Sequence, residues 1–297
     1  MKIPPFLKKG DTVAIVATAR KISKDEIKPS VDILKNWGLK VVFAPNLFKE
    51  HNQFAGSDAD RTIGLQWTLD NKDIKAVFIA RGGYGTIRII DNISLSKFCN
   101  KPKWIVGYSD TTILHSHLYA SGVASVHGTM PFQFSQNEEA TESLRKILFG
   151  EEQEYEAEPH VFNRIGEAKG EIVGGNLSLL YALSGSDSDL NTKGKILFIE
   201  DLDEYLYHID RMMLQLKRSG KLKNIKALIV GGMTEMKDNK IPFGKTVEEI
   251  IFDAVKEYGY PVCFNFPAGH IHRNLAFYIG KKAHLKVTKK GTELNYV

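Results

Sequence analysis

The chain has 297 residues, 43% of them hydrophobic and 25% charged, which allows a substantial buried core and excludes a compositionally disordered polypeptide. Its mean hydropathy of −0.22, with no long uncharged apolar run, offers no membrane span. A formal charge of +5, from 40 Lys and Arg against 35 Asp and Glu, suits small anionic substrates and does not imply nucleic acid; the densest basic stretch, residues 217–226, has no interleaved aromatics.

The amino terminus carries Lys2, Lys8, Lys9 and Asp11 around Pro4 and Pro5, so no signal peptide is visible and a cytoplasmic location is expected. Apolar runs then alternate with amphipathic stretches, the pattern of βαβ units on an open, largely parallel α/β sheet. Residues 13–17 read as the first strand. Ser23-Lys-Asp-Glu26 reads as a capping box opening a helix whose apolar positions are Ile27, Val31, Ile33 and Leu34. A strand at 40–44, a helix at 58–69, a strand at 76–80, a short helix at 84–90 and a strand at 104–107 follow. Glu151, Glu152, Glu154, Glu156 and Glu158, ended by Pro159, suit a solvated linker. The expected organisation is an amino-terminal domain over 1–150, a linker over 151–169 and a carboxy-terminal α/β domain over 170–297. In the latter we expect strands at 170–173, 195–199 and 227–230, helices at 176–184 and 207–217, and β-rich segments at 277–279 and 284–287. Cys99 and Cys263 are far apart and lack metal-ligand spacing, so they read as small hydrophobes.

The segment Trp104-Ile-Val-Gly-Tyr-Ser-Asp-Thr-Thr112 feeds an apolar strand through Gly107 and Ser109 into an apolar helix, the layout of a nucleophile elbow. Such a turn lifts the serine hydroxyl above the strand end, where helix-start N–H groups can stabilise an oxyanion. The second glycine of G-x-S-x-G is missing, and the alternative is that Ser109 or Asp110 caps the helix. The loop Ala80-Arg-Gly-Gly-Tyr-Gly85 occupies another strand-to-helix turn and is suited to hold an anion, or simply marks a tight turn. It matches neither G-x-G-x-x-G nor a P-loop, which disfavours a nucleotide cofactor. A serine nucleophile needs a base and the base needs an acceptor. His270, in Phe266-Pro-Ala-Gly-His270, is the candidate base with His272 as its rival, and Glu200, expected just beyond the strand at 195–199, is the candidate acceptor. Glu200, Asp201, Asp203 and Glu204 also form an acidic cluster that suits either a divalent metal or a solvated loop.

Taken together, Gly10-Asp-Thr-Val-Ala-Ile-Val-Ala17, Phe54-Ala-Gly-Ser-Asp58, Arg81-Gly-Gly-Tyr-Gly85, Gly107-Tyr-Ser-Asp110, Gly174-Gly-Asn176, Phe198-Ile-Glu-Asp201, Ile209-Asp-Arg211 and Pro267-Ala-Gly-His270 resemble the LD-carboxypeptidase family of serine peptidases, which includes the microcin-immunity peptidases. The resemblance runs in order along nearly the whole chain. It implies a Ser, Glu, His triad at Ser109, Glu200 and His270, split between the two domains, and usually a homodimer. It also implies a murein tetrapeptide substrate losing its terminal D-alanine in cell-wall recycling, with no metal or cofactor. Within that frame the N–H groups of Gly83 and Asp110 are the oxyanion-hole candidates, and Arg81, Gly82 and Tyr84 are the substrate-binding candidates; Arg81 either reads the terminal carboxylate or makes a structural ion pair. The other readings are a peptidase that cleaves peptide-nucleotide antibiotics and a non-catalytic peptide-binding protein. Ala17-Thr-Ala-Arg20 and Thr129 depart from the family pattern, which commonly has Pro and Ser at the first and Pro at the second. These departures bear on the substrate pocket and not on the triad.

Overall fold

The apolar runs become strands and the amphipathic stretches become helices throughout residues 1–297, all of which the computed structural model describes. The first elements are β1 (Thr12–Val16), α1 (Lys24–Asn36), β2 (Lys40–Phe43), α2 (Asp58–Asp70), β3 (Ile74–Ile79), β4 (Trp104–Gly107), α3 (Thr112–Ala120), β5 (Ser125–His127) and α4 (Glu138–Leu148). There follow β6 (Tyr155–Ala157), β7 (Gly166–Asn176), α5 (Leu177–Ala182), β8 (Ile196–Leu202), α6 (Leu206–Arg218), β9 (Ala227–Thr234), α7 (Val247–Val255), β10 (Val262–Cys263), β11 (Phe277–Ile279), β12 (Lys282–Thr288) and β13 (Gly291–Tyr296). No helix is long and apolar enough to cross a membrane.

The chain divides into two units, one of residues 1–153 with Leu275–Ile279 and one of Glu154–Asn274 with Gly280–Val297. The first unit holds a six-stranded sheet in the order β11-β5-β4-β3-β1-β2, parallel except where β11 meets β5. Strand β1, an inner strand between β3 and β2, is buried from Val13 onward, which is why its sequence is continuously apolar rather than alternating. The expected capping box forms: Ser23 Oγ accepts the Glu26 N–H at 3.2 Å and Glu26 Oε2 accepts the Ser23 N–H at 2.8 Å. Strands β1, β3 and β4 are parallel neighbours, so the loops at their carboxyl ends, carrying Thr18, Arg81 and Ser109, open on one edge of the sheet. The order reverses between β3 and β1, the switch point where open α/β sheets gather ligands.

The second unit holds a seven-stranded sheet, β10-β9-β8-β7-β12-β13-β6, parallel from β10 to β7 and antiparallel beyond. An α/β unit with β-rich segments is the expected class, and the structure adds that those segments pair antiparallel. Three local expectations change. The stretch 84–90 forms 3-10 turns at Thr86–Arg88 and Ile90–Asn92, entered from Gly85 at φ 157°, a conformation outside the helical region. The acidic stretch expected as linker contains β6, where Tyr155 and Ala157 are buried and Glu156 is exposed; this period-2 alternation is hidden by the glutamates around it. Glu200 lies within β8 rather than after it.

Candidate active site

In the first unit, β4 ends at Gly107 and the chain turns within two residues into a 3-10 turn, Ser109–Thr111, that runs on as α3. Ser109 has φ 61°, a left-handed conformation that is unfavourable for a serine and characteristic of a strained functional turn. Gly107 permits the sharp reversal, because a Cβ there would lie 2.5 Å from Thr111 Oγ1. Thr111 stands where the elbow motif has its second glycine, so in this chain the bare backbone that lets the helix fold back is supplied from the strand side. Neither Ser109 nor Asp110 caps a helix: no side-chain cap bond occurs at the 3-10 turn or at α3. His115 of α3 props the turn from beneath. Its Nε2–H donates to the Gly107 carbonyl at 2.9 Å and its Nδ1 accepts from Ser125 Oγ at 2.8 Å, while burial drives its pKa down to about 4 and keeps it neutral.

Beside Ser109 lies the glycine loop that follows β3. A Cβ added to Gly82 would stand 3.2 Å from Ser109 Oγ, a tight contact, so the glycine backbone lies close against the hydroxyl. Gly83 has φ 114°, and Tyr84 is exposed with its ring near Phe54. Arg81 pairs with Glu26 at 3.2 Å and lies over the Phe132 ring at 5.0 Å, so the ion pair, one of the two roles expected of it, is present.

In the second unit, Glu200 is 0% exposed and its Oε2 accepts from His270 twice, from Nδ1 at 2.6 Å and from the backbone N–H at 3.1 Å. Two features bring these residues together across 70 positions. Strand β9 carries one residue more than β8 opposite Glu200, where Ile199 pairs with Val230 and Asp201 with Met233. Such a bulge re-aims the side chain it faces. The loop 266–270 is then bound to β9, with Phe266 N–H on Val230 O at 3.1 Å, Gly232 N–H on Ala268 O at 2.9 Å and Thr234 Oγ1 on His270 O at 3.0 Å. Burial disfavours the imidazolium, but the Glu200 charge and hydrogen bond, with Asp201 and Glu235 behind them, outweigh it and hold the His270 pKa above its ordinary 6.5. His272 is exposed, and Glu200 pairs with His270.

The four acidic residues from Glu200 to Glu204 do not converge. Asp201 accepts from Asn176 Nδ2 at 2.8 Å and from the N–H groups of Ser178 and Leu202 at 2.9 Å each, fastening the start of α5 to β8. Asp203 pairs with Lys237 and Glu204 with His208. No three His, Cys, Asp or Glu side chains come together as a metal-holding group. Burial and then the neighbouring Glu200 charge push Asp201 up to about 7, against its three hydrogen bonds.

The model of the LD-carboxypeptidase N-terminal domain matches residues 13–128 and that of the C-terminal domain matches residues 169–285. The chain is also 35% identical over 294 residues to a probable murein peptide carboxypeptidase of Bacillus subtilis (strain 168), covering 97% of this chain and 92% of that one. The chain belongs to the LD-carboxypeptidase family. It is therefore a peptidase, and its fold is the family's. A solved structure of muramoyltetrapeptide carboxypeptidase from Oxalobacter formigenes superposes with a TM-score of 0.88 at 27% identity, covering 96% of this chain and 98% of that one. Microcin C7 self immunity protein MccF, solved in complex with aspartyl sulfamoyl adenosine, reaches a TM-score of 0.89 over 100% of this chain and 99% of that one, but at 21% identity it shares the fold alone.

Sequence reasoning placed Ser109, Glu200 and His270 but missed the side chains that hold them. Asn176, Asp58 and Gly269 stand within motifs that carried the family resemblance without a role of their own, and Arg61 and His115 gave no local signal. Gly269 has φ 105°, and a Cβ there would lie 2.8 Å from both Cβ and Oε2 of Glu200. Gly269→Ala is therefore expected to displace the Glu200–His270 pair, lowering kcat by about 10²-fold through misplacement of the base and stability by about 1–3 kcal/mol through overpacking. Turnover and melting measurements check it; wild-type kcat in the variant would show that the close approach of Gly269 is immaterial.

Proposed function

We propose that Ser109, His270 and Glu200 act as one catalytic triad and that the chain is a serine carboxypeptidase. It hydrolyses the bond between the L-configured centre of a diamino acid and the terminal D-alanine of murein tetrapeptides. The observation that carries this reading is a histidine held at 2.6 Å on a fully buried carboxylate, in a chain that also presents a serine at φ 61° on a strand-to-helix turn. The substrate class follows from the murein and muramoyltetrapeptide carboxypeptidases to which the chain is similar.

In this reaction Ser109 Oγ attacks the carbonyl carbon as its proton passes to His270 Nε2. Glu200 accepts the Nδ1–H, which fixes the tautomer with its basic lone pair on Nε2 and stabilises the imidazolium. The N–H groups of Gly83 and Asp110 receive the oxyanion. Collapse of the tetrahedral species expels D-alanine, whose amine takes the proton from Nε2. Water, deprotonated by the same nitrogen, then hydrolyses the acyl-enzyme and restores Ser109. Gly82 and Tyr84 belong to the loop that meets the leaving residue, with Arg81, tied to Glu26, at its base. The reaction is placed in the cytoplasm, in recycling of wall fragments, and the enzyme is read as a homodimer; light scattering should then give twice the 33.3 kDa chain mass.

Incubation with a murein tetrapeptide should yield D-alanine and the tripeptide. An intact tetrapeptide together with cleavage of an aminoacyl-nucleotide analogue would overturn the reading in favour of antibiotic detoxification, and binding without cleavage of either would make the chain a peptide binder. The pH profile gives a second check. His270 must be neutral to act as base and its pKa is held above 6.5, so kcat/KM should fall as pH drops through a value above 6.5. An acid limb centred at or below 6.5 would contradict the Glu200–His270 pair as the base.

A further inference from the structure

Asp110 follows Ser109 directly, and the reaction above uses only its N–H, yet its carboxyl group is buried, with 1% of the residue exposed. Burying a carboxylate is unfavourable unless it is bonded there. Its Oδ2 reaches back 24 residues to accept the N–H of Thr86 at 2.9 Å. Thr86 begins the 3-10 turn that closes the glycine loop. A second hold comes from Arg61, fully buried and paired with Asp58, whose Nη1 donates to the carbonyls of Gly85 at 2.8 Å and Thr18 at 2.7 Å. A hydrogen bond of 2.8 Å between the hydroxyls of Thr86 and Thr18 completes the clamp. Gly85 is required for it, since a Cβ there would stand 2.6 Å from Arg61 Nη1. Burial raises the pKa of the Asp110 carboxyl, opposed by the Thr86 and Gly85 N–H groups and the Arg61 charge, so the groups facing this carboxyl are those of the clamp. The loop upstream of Thr86, with glycines at 82, 83 and 85, has little stiffness of its own, although its backbone lies against Ser109.

We propose that the Asp110 carboxylate is a positioning group for catalysis: by holding Thr86 it sets the 82–85 backbone against Ser109, so one residue supplies an oxyanion donor with its N–H and fixes the second donor with its side chain. This rests on the triad reading above. The test compares Asp110→Ala, which removes the acceptor, with Asp110→Asn, which keeps an oxygen for the Thr86 N–H. D-alanine release is measured per active serine, counted with a stoichiometric phosphonate titrant, so that a loss of folded enzyme does not register as a loss of rate. Asp110→Ala should lower kcat by about 10²-fold with KM within about threefold, the signature of a lost oxyanion donor, and Asp110→Asn should recover at least tenfold of it. A kcat within about threefold of wild type in Asp110→Ala, or an Asn variant as slow as the Ala variant, would overturn the proposal. If Asp110→Ala does not fold, the Asn variant decides alone: kcat within about tenfold of wild type supports the latch and a loss of about 10²-fold or more overturns it. Ser109→Ala run alongside separates the two readings, since D-alanine release by that variant at the wild-type rate would remove the triad whatever the Asp110 variants do.

Discussion

Ser109→Ala is expected to lower kcat for D-alanine release by about 10³-fold or more, His270→Ala by the same order, and the double variant by little further, because members of a triad act as a unit. The serine change leaves the elbow's framework intact: Gly107 still permits the turn and His115 still holds the Gly107 carbonyl at 2.9 Å. Its melting temperature should therefore stay close to wild type. The histidine change is less benign, since buried Glu200 keeps the residue-270 backbone N–H but loses the Nδ1 partner. A stability loss of about 1.5–3 kcal/mol should accompany it, the range for a hydrogen bond to a charged group. Rates are therefore to be compared per folded molecule. His272→Ala, at an exposed position, should turn over normally; loss of turnover there with retention in His270→Ala would reverse the assignment.

Glu200→Gln is expected to be nearly as damaging, about 10³–10⁴-fold in kcat at neutral pH, by the logic that makes a triad acid necessary for the correct histidine tautomer. In the wild type one oxygen, Oε2, accepts both the backbone N–H and the Nδ1–H of His270. A glutamine has one oxygen and one NH2. If the NH2 faces the ring it donates to Nδ1, the proton moves to Nε2, and the atom that would accept from Ser109 in the proposed triad no longer can. If the oxygen faces the ring, the tautomer survives but the imidazolium loses its counter-charge. Either orientation removes the Glu200 charge that helps raise the His270 pKa, so the acid limb should move downward. A variant with wild-type kcat and an unmoved acid limb would remove Glu200 from the mechanism.

The elbow was legible because its determinants are local. An apolar strand, Gly107, Ser109 and an apolar helix lie within about two turns of chain, and local chemistry dictates the reversal. The capping box of α1 was legible for the same reason. His270 and Glu200 were legible as candidates on their loop and strand, but their pairing depends on the extra residue in β9 and on hydrogen bonds that bind the loop 266–270 to it, and these arise only when strands pair. The misread linker shows the converse. Tyr155 and Ala157 carry a two-residue alternation too short to stand out among five glutamates, and pairing of β6 with β13, more than 130 residues away, makes it a strand. Phe277–Ile279, expected in the carboxy-terminal domain, pairs with β5 of the first unit, a choice no three-residue apolar run encodes. Arg61 was invisible, and the Asp110 carboxylate legible only as a helix cap, for a related reason: charged residues on a helix or turn read as local or solvated until packing buries them.

The most direct measurement is a rapid quench of the enzyme during turnover of a murein tetrapeptide, followed by mass analysis of the protein and of the released amino acid. The triad predicts a tripeptidyl ester on the peptide containing Ser109, formed in step with D-alanine and absent from the Ser109→Ala chain. Release of D-alanine at the wild-type rate by Ser109→Ala, or an adduct on any other side chain, would contradict it.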